Sequence, residues 1–193
     1  NDTESHVVVP SATTTTILSD APDPSIVGQN YTVVVTVASN LGLVGAPTGS
    51  VAVSDGSGAS CNIVLSTGGG FCQMASTSPG QKTLTAVYEP NSQAFASSQD
   101  TEAHTVNLPP STTTITSDAP DPSEVNQPYT VQVQVGGGGA TPTGTVSIND
   151  GSGASCNNVA LSGGTASCQL TSTSAGQKTL TANYSGNASY APS

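Results

Sequence analysis

The heptapeptide Tyr129-Thr130-Val131-Gln132-Val133-Gln134-Val135 alternates apolar and polar side chains without a break. Successive side chains of a strand point to opposite faces, so Tyr129, Val131, Val133 and Val135 share a core-facing side while Gln132 and Gln134 face water. A counterpart starts at Tyr31, where YTVVVTV puts Val33, Val35 and Val37 on the inward face. The flanking segments correspond as well. TGSVAVSDGSG (48–58) and TGTVSINDGSG (143–153) read as strands ending in Asp-Gly turns. KTLTAVY (82–88) and KTLTANY (178–184) read as strands with Leu84, Ala86 and Tyr88, or Leu180, Ala182 and Tyr184, on one face. First strands are expected near Thr13–Ser19 and Thr112–Ser117, and a closing strand near Thr101–Leu108. No segment carries a helical period.

Turn clusters such as DAPDPS, PTG and DGSG recur at short intervals within a repeat of about 95 residues, which divides the 193-residue chain into two units. Short strands so spaced predict an all-β chain of two tandem immunoglobulin-like antiparallel sandwiches. The expected boundaries are a closing strand for an adjacent unit at 1–10, a first domain at 11–108 and a second at 109–193. Two Lys, no Arg and twelve acidic residues give a net charge of −10. A surface of that sign repels phosphate backbones and anionic lipid, which argues against nucleic-acid partners and membrane docking. No apolar run approaches the roughly 20 residues of a membrane span, so membrane insertion is not expected.

These segments resemble the bacterial Ig-like domains of group 3, which occur as tandem repeats in secreted and surface proteins. The resemblance is carried by TTTTILSDAPDPSIVGQNYTVVVTV, PTGSVAVSDG and PGQKTLTAVY in the first copy. In the second it is carried by TTTITSDAPDPSEVNQPYTVQVQV, PTGTVSINDG and AGQKTLTANYSGNASYAPS. It covers nearly the whole chain and implies a non-enzymatic spacer or adhesion module that uses no cofactor. The paired cysteines depart from the family's common pattern.

Cys61 and Cys72 flank the turn in CNIVLSTGGGFC, and Cys156 and Cys168 flank that in CNNVALSGGTASC. With the Gly-Gly turn midway, a hairpin sets the two sulfurs opposite each other, so one disulfide per unit is expected. The spacings lack the C-x2-C pairs of a zinc site. Disulfides belong to an oxidising compartment, and an extracellular or cell-surface location follows.

Other chemistry is sparse. His6 and His104 occupy the same place in two DTE-x-H segments and read as strand-surface residues with no nucleophile beside them. Lys82 and Lys178 match across the repeat and read as solvated strand ends rather than as isopeptide donors. Asp20 and Asp23, with Asp118 and Asp121, offer carboxylates for a hard cation such as calcium, but they are too few for a calcium cage, and Asp before Pro or Ala is ordinary turn chemistry. Asn1, Asn30, Asn183 and Asn187 head sequons that permit glycosylation where the producing cell has the machinery.

The two ends of the chain correspond. NDTESHVVVP at residues 1–10 parallels QDTEAHTVNLP at 99–109, the closing segment of the first unit, whereas the second unit stops at NASYAPS. The second sandwich is thus expected to lack its own last strand. Glu4, Ser5, His6, Val7, Val8 and Val9 of an adjacent unit are expected to supply it, paired with the strand of Leu180, Ala182 and Tyr184. The implied partners are copies of the chain, head to tail, joined covalently or by strand donation. Function follows as an extracellular fibre, stalk or adhesin shaft. The alternative is an Ig-like binding or spacer module for carbohydrate or protein, but Trp is absent and only five Tyr and two Phe occur, most at core-like positions.

Overall fold

A computed structural model describes residues 1–41 and 45–193. The chain divides into two compact units, Asn1–Asn107 and Leu108–Ser193. The described residues contain strands and turns, with no helix long and apolar enough to cross a membrane.

In the first unit, β1 (Thr13–Ala21), β3 (Tyr31–Ser39) and β6 (Gly69–Met74) form one sheet in the order β1-β3-β6. The facing sheet runs β2-β8-β7-β4-β5, from β2 (Ser25–Ile26), β8 (Ser98–Asn107), β7 (Gly80–Pro90), β4 (Gly49–Ser54) and β5 (Ser60–Val64). All pairs are antiparallel except the short β2–β8 contact. The period-two reading holds, since Tyr31, Val33, Val35 and Val37 of one sheet pack with Val51, Val53, Leu84, Ala86 and Tyr88 of the other. Burying such a side chain contributes roughly 1.5–3 kcal/mol, and β-branched Val and Thr suit the pleat.

The second unit repeats this framework in part. One sheet is β13-β10-β9, from β9 (Ser111–Ala119), β10 (Pro128–Gly137) and β13 (Thr165–Thr171). The other is β12-β11-β14, from β11 (Thr145–Asn149), β12 (Ser155–Ala160) and β14 (Thr181–Tyr184). Among the described residues no strand stands where β2 and β8 stand in the first unit. Tyr190 is buried over Gly137, where any added Cβ would collide with the phenol ring.

Both expected disulfides are present, Cys61–Cys72 and Cys156–Cys168. Their setting differs from the hairpin ladder that the sequence suggests. β5 pairs with β4 and β6 with β3, so Cys61 and Cys72 lie in opposite sheets, and Cys156 on β12 and Cys168 on β13 do likewise. The turn between them narrows to a single bridge, Ser66–Gly69 or Ser162–Thr165. Each disulfide therefore staples sheet to sheet. In the chain-entropy view, closing so short a loop contributes roughly 2–3 kcal/mol. Reduction should accordingly lower the urea midpoint of both units, and non-reducing mass measurement of denatured protein should find two bonds and no alkylatable thiol.

Candidate functional site

Residues Asp100, Glu102, His104 and Val106 of β8 alternate with exposed neighbours, and this polar face points into the first unit. His104 is completely buried. Its Nδ1–H donates to Asp20 Oδ2 at 2.8 Å, which leaves Nε2 to accept the Ser25 hydroxyl at 2.8 Å. The ring stacks on Tyr31 with centroids 3.9 Å apart. Beneath it the Tyr31 hydroxyl meets Ser76 Oγ at 3.1 Å, and Ser76 donates to Asp55 Oδ2 at 2.7 Å. Two further contacts fix the strand: Asp100 Oδ2 accepts the Ile17 amide and Asp23 Oδ1 accepts the Thr105 amide, each at 2.8 Å.

The expectation that His104 lies on the strand surface without a nucleophile nearby is therefore overturned. Ser25, His104 and Asp20 have the distances of a hydrolytic triad. Ser25 is 1% exposed, however, so no substrate carbonyl can reach its oxygen. The set acts as a hydrogen-bonded latch that holds β8 against β1, β2 and β3. Lys82 is likewise buried rather than solvated, its ammonium donating to Ser78 Oγ at 2.7 Å.

The Asp20, Asp23 and His104 ligand atoms lie within 4.8 Å of one another, close enough to share a cation. Both imidazole nitrogens already have partners, and Asp23 Oδ1 is 3.6 Å from Nδ1, so the cluster is complete as a hydrogen-bond network. Glu102 Oε2 is the exception, buried with no partner among the described residues. Burial pushes its carboxyl above the ordinary glutamate range, and Asp20, Asp100 and Asp23 add to the rise while His104 opposes it. At Asp55 burial also acts upward, but hydrogen bonds from Ser76, Ser57 and Ala59 outweigh it and hold the acid low. Asp150 is held low first by the Ser172 hydroxyl.

The second unit carries counterparts of the residues that surround His104. The register of β9 on β10 places Asp118 opposite Val131, as β1 places Asp20 opposite Val33. The Tyr129–Ser172–Asp150 chain repeats at 3.1 and 2.7 Å, and Lys178 donates to Ser174. Asp118, Asp121, Ser123, Glu124, Tyr129, Lys178 and Leu180 line a cavity of about 680 Å³. Ser123 is exposed here, and Leu180 and Ala182 are only half-buried where Leu84 and Ala86 are wholly buried. β14 retains four residues, against eleven in β7.

Residues 1–10 are exposed and form no strand, with Val7 at 79%, Val8 at 83% and Val9 at 74% exposure. Ser11 is the first anchored residue, its amide donating to Ala94. Of the sequon residues, Asn1, Asn30 and Asn183 are exposed. Asn187 is engaged: its amide nitrogen donates to Thr143, and its oxygen accepts the Ser189 and Tyr190 amides.

Residues 115–193, within the second unit, match the family described as bacterial Ig-like domain (group 3). Among curated proteins no sequence matches the chain. Three solved structures are similar in fold. Invasin, a bacterial integrin-binding protein, is 19% identical over 92% of this chain and 37% of its own, with a TM-score of 0.41. A tetra-tandem repeat from the extending region of a large adhesion protein is 15% identical over 95% and 48%, at 0.40. FdeC, an Escherichia coli adhesin, is 14% identical over 98% and 64%, at 0.37. The chain thus spans less than two thirds of each, and likeness at this level carries no functional argument.

Two predictions test the latch in the first unit. His104→Ala leaves Asp20 and Ser25 without their buried partner and opens a cavity, so it should cost about 2–4 kcal/mol in urea unfolding of that unit. Glu102→Gln should act in the opposite direction. A carboxyl whose folded pKa is raised favours folding below the ordinary glutamate range and weakens it as pH rises through the raised value. The Gln variant should therefore be more stable than the parent at neutral pH and should lose the part of the pH dependence that lies above the ordinary glutamate range.

Proposed function

We propose that this chain is a non-enzymatic structural module of an extracellular or cell-surface shaft. In this reading its second Ig-like unit is completed by residues Asp2–Val9 of a second copy, and units follow one another head to tail. The observation that carries it is Ser193. Its carbonyl and amide pair with Tyr184, and its hydroxyl meets Ser111 and Thr113 at 2.8 and 2.7 Å. Ser98 does the same at the head of β8, pairing with Tyr88 and meeting Thr13 and Thr15 at 2.8 and 2.7 Å. Ser193 thus marks the first rung of a closing strand. Two residues after Ser98, Asp100 opens the DTE-x-H motif of β8, and the same motif recurs at Asp2–His6.

Chain geometry supports a second copy as the donor. Within the first unit Thr13 lies beside Ser98, whereas Asn107 ends the same strand nine residues on. At 3.3 Å per residue the two ends are about 30 Å apart, and three residues from Pro10 to Ala12 span at most ~10 Å. Residues 1–10 therefore leave the first unit from the end at which β8 starts, and the chain passes on from the end at which β8 stops. A contact between unlike ends repeats from copy to copy, as a shaft requires. β-Augmentation supplies the affinity whether or not a peptide bond also joins the copies. The alternative reading as a carbohydrate module finds no support at the cavity, whose wall is a strand edge with one aromatic, Tyr129.

Light scattering on three chains tests this. The 193-residue chain should associate with rising concentration. A variant lacking residues 1–10 should remain monomeric, and the same ten residues moved to follow Ser193 should give a monomer whose second unit melts higher. Undiminished association of the truncated chain, or no rise in melting on relocation, would overturn the reading. With only two lysines in each chain, exposed ion pairs contribute about 0–1 kcal/mol each, so the association should persist in roughly 1 M sodium chloride.

A further inference from the structure

We infer that the cavity of the second unit is a histidine socket, in which Asp118, Ser123 and Tyr129 bind the imidazole of His6 from an incoming copy and so select and register the donated strand. The inference rests on the strand-exchange reading above and adds the chemistry by which the strand is recognised.

The argument begins with what already surrounds His104. One carboxylate accepts its Nδ1–H, one hydroxyl donates to Nε2, and one phenol ring supplies a stacking face. Each has a counterpart at the cavity: Asp118 for Asp20, Ser123 for Ser25 and Tyr129 for Tyr31. The floor is already set, because Tyr129 is held by Ser172, and Ser172 by Asp150, at the distances found beneath His104. The wall is set too, because β9 keeps the register of β1, including the irregularity two residues before the aspartate. What the socket lacks is the imidazole.

His6 is exposed, lies on a segment with no strand of its own, and follows DTE as His104 does. Aligning Asp2-Thr3-Glu4-Ser5-His6 with Asp100-Thr101-Glu102-Ala103-His104 sets the parity of the strand. Asp2, Glu4, His6 and Val8 then face inward, while Thr3, Ser5, Val7 and Val9 face out. The β7–β8 register carries over as His6 opposite Lys178 and Val8 opposite Gly176. Two more contacts follow: Asp2 accepts the Ile115 amide, as Asp100 accepts that of Ile17, and Asp121 accepts the Val7 amide, as Asp23 accepts that of Thr105. A strand shifted by one residue turns His6 outward and places Val7 against Asp118, which leaves the carboxylate unpaired. Among inward groups, only an imidazole with a donor on one side and an acceptor on the other satisfies Asp118 and Ser123 together.

The test places the substitution on a peptide, so that folding of the protein is untouched. Residues 1–10 make no hydrogen bond within their own chain, and their removal leaves both units intact for use as the receptor. Synthetic NDTESHVVVP is titrated into this truncated chain by calorimetry, with the Tyr129 ring signals followed by NMR. The native peptide should bind and shift the ring signals, and His6→Ala peptide should bind at least 10-fold more weakly. Asp118→Ala receptor should weaken the native peptide similarly, and the two changes together should cost less than their product, the mark of a direct contact. If His6→Ala peptide binds as tightly as the native one, the socket is wrong while strand exchange stands. If the native peptide does not bind at all, both are wrong.

Discussion

The constraint on each sandwich is the sheet edge beside its core, where an unpaired strand exposes a row of backbone N–H and C=O groups. In the first unit β8 supplies a partner for β7 along nearly its whole length. Leu84 and Ala86 are thereby wholly buried, and β7 persists for eleven residues. In the second unit the corresponding edge frays to four residues, and Leu180 and Ala182 stay half-exposed. The two units share sequence, register and disulfide, so the contrast isolates what one strand does. It contributes the ladder, and it also completes the burial of residues on its neighbours.

The closing strand is unusual in turning its charged face inward. Asp100, Glu102 and His104 alternate toward the interior, and the two carboxylates differ: Asp100 accepts an amide, whereas Glu102 has an oxygen with no partner among the described residues. A strand of alternating valines would gain more from burial alone. It would also pair with any open edge of similar shape, which is how sandwiches aggregate. Charged and imidazole groups facing inward are costly in every register but one, so specificity is obtained at the expense of affinity. In the proposed exchange, Val8 would be the one apolar residue on this inward face, in the place that buried Val106 holds in β8.

The sheets were legible in the sequence because their inward positions are apolar: the Val and Tyr alternation of β3 and β10 fixes face and register together. Three features were not legible, each for a physical reason. The inward face of β8 is polar, so hydrophobic alternation gives no parity for it, and His104 reads as a surface residue until Asp20, Ser25 and Tyr31 are seen around it. The cysteines sit on either side of a tight turn, which in sequence looks like a hairpin; only the pairing of β5 with β4 and β6 with β3 reveals a sheet-to-sheet staple. Asn187 reads as a sequon, and the structure adds that its oxygen caps the turn to Tyr190 while its amide nitrogen tethers that turn to Thr143. The correspondence of the DTE-x-H segments was visible from the start, although the residues that receive them are scattered from Asp118 to Lys178 and come together only through the fold.

Recognition and covalent linkage are separable at this joint. Ser193 already occupies the first rung beside Tyr184, held by Ser111 and Thr113, and does so without any help from residues 1–10. Every contact that distinguishes one incoming strand from another falls beyond that rung, at the positions of Asp2, His6, Val7 and Val8. A peptide bond between Ser193 and a following Asn1 would raise the effective concentration of the strand enormously without altering which strand fits. Separate copies would depend on the contacts alone. The same socket therefore serves either mode of assembly: linkage sets how tightly units are joined, and His6, Asp118, Ser123 and Tyr129 set which strand and which register.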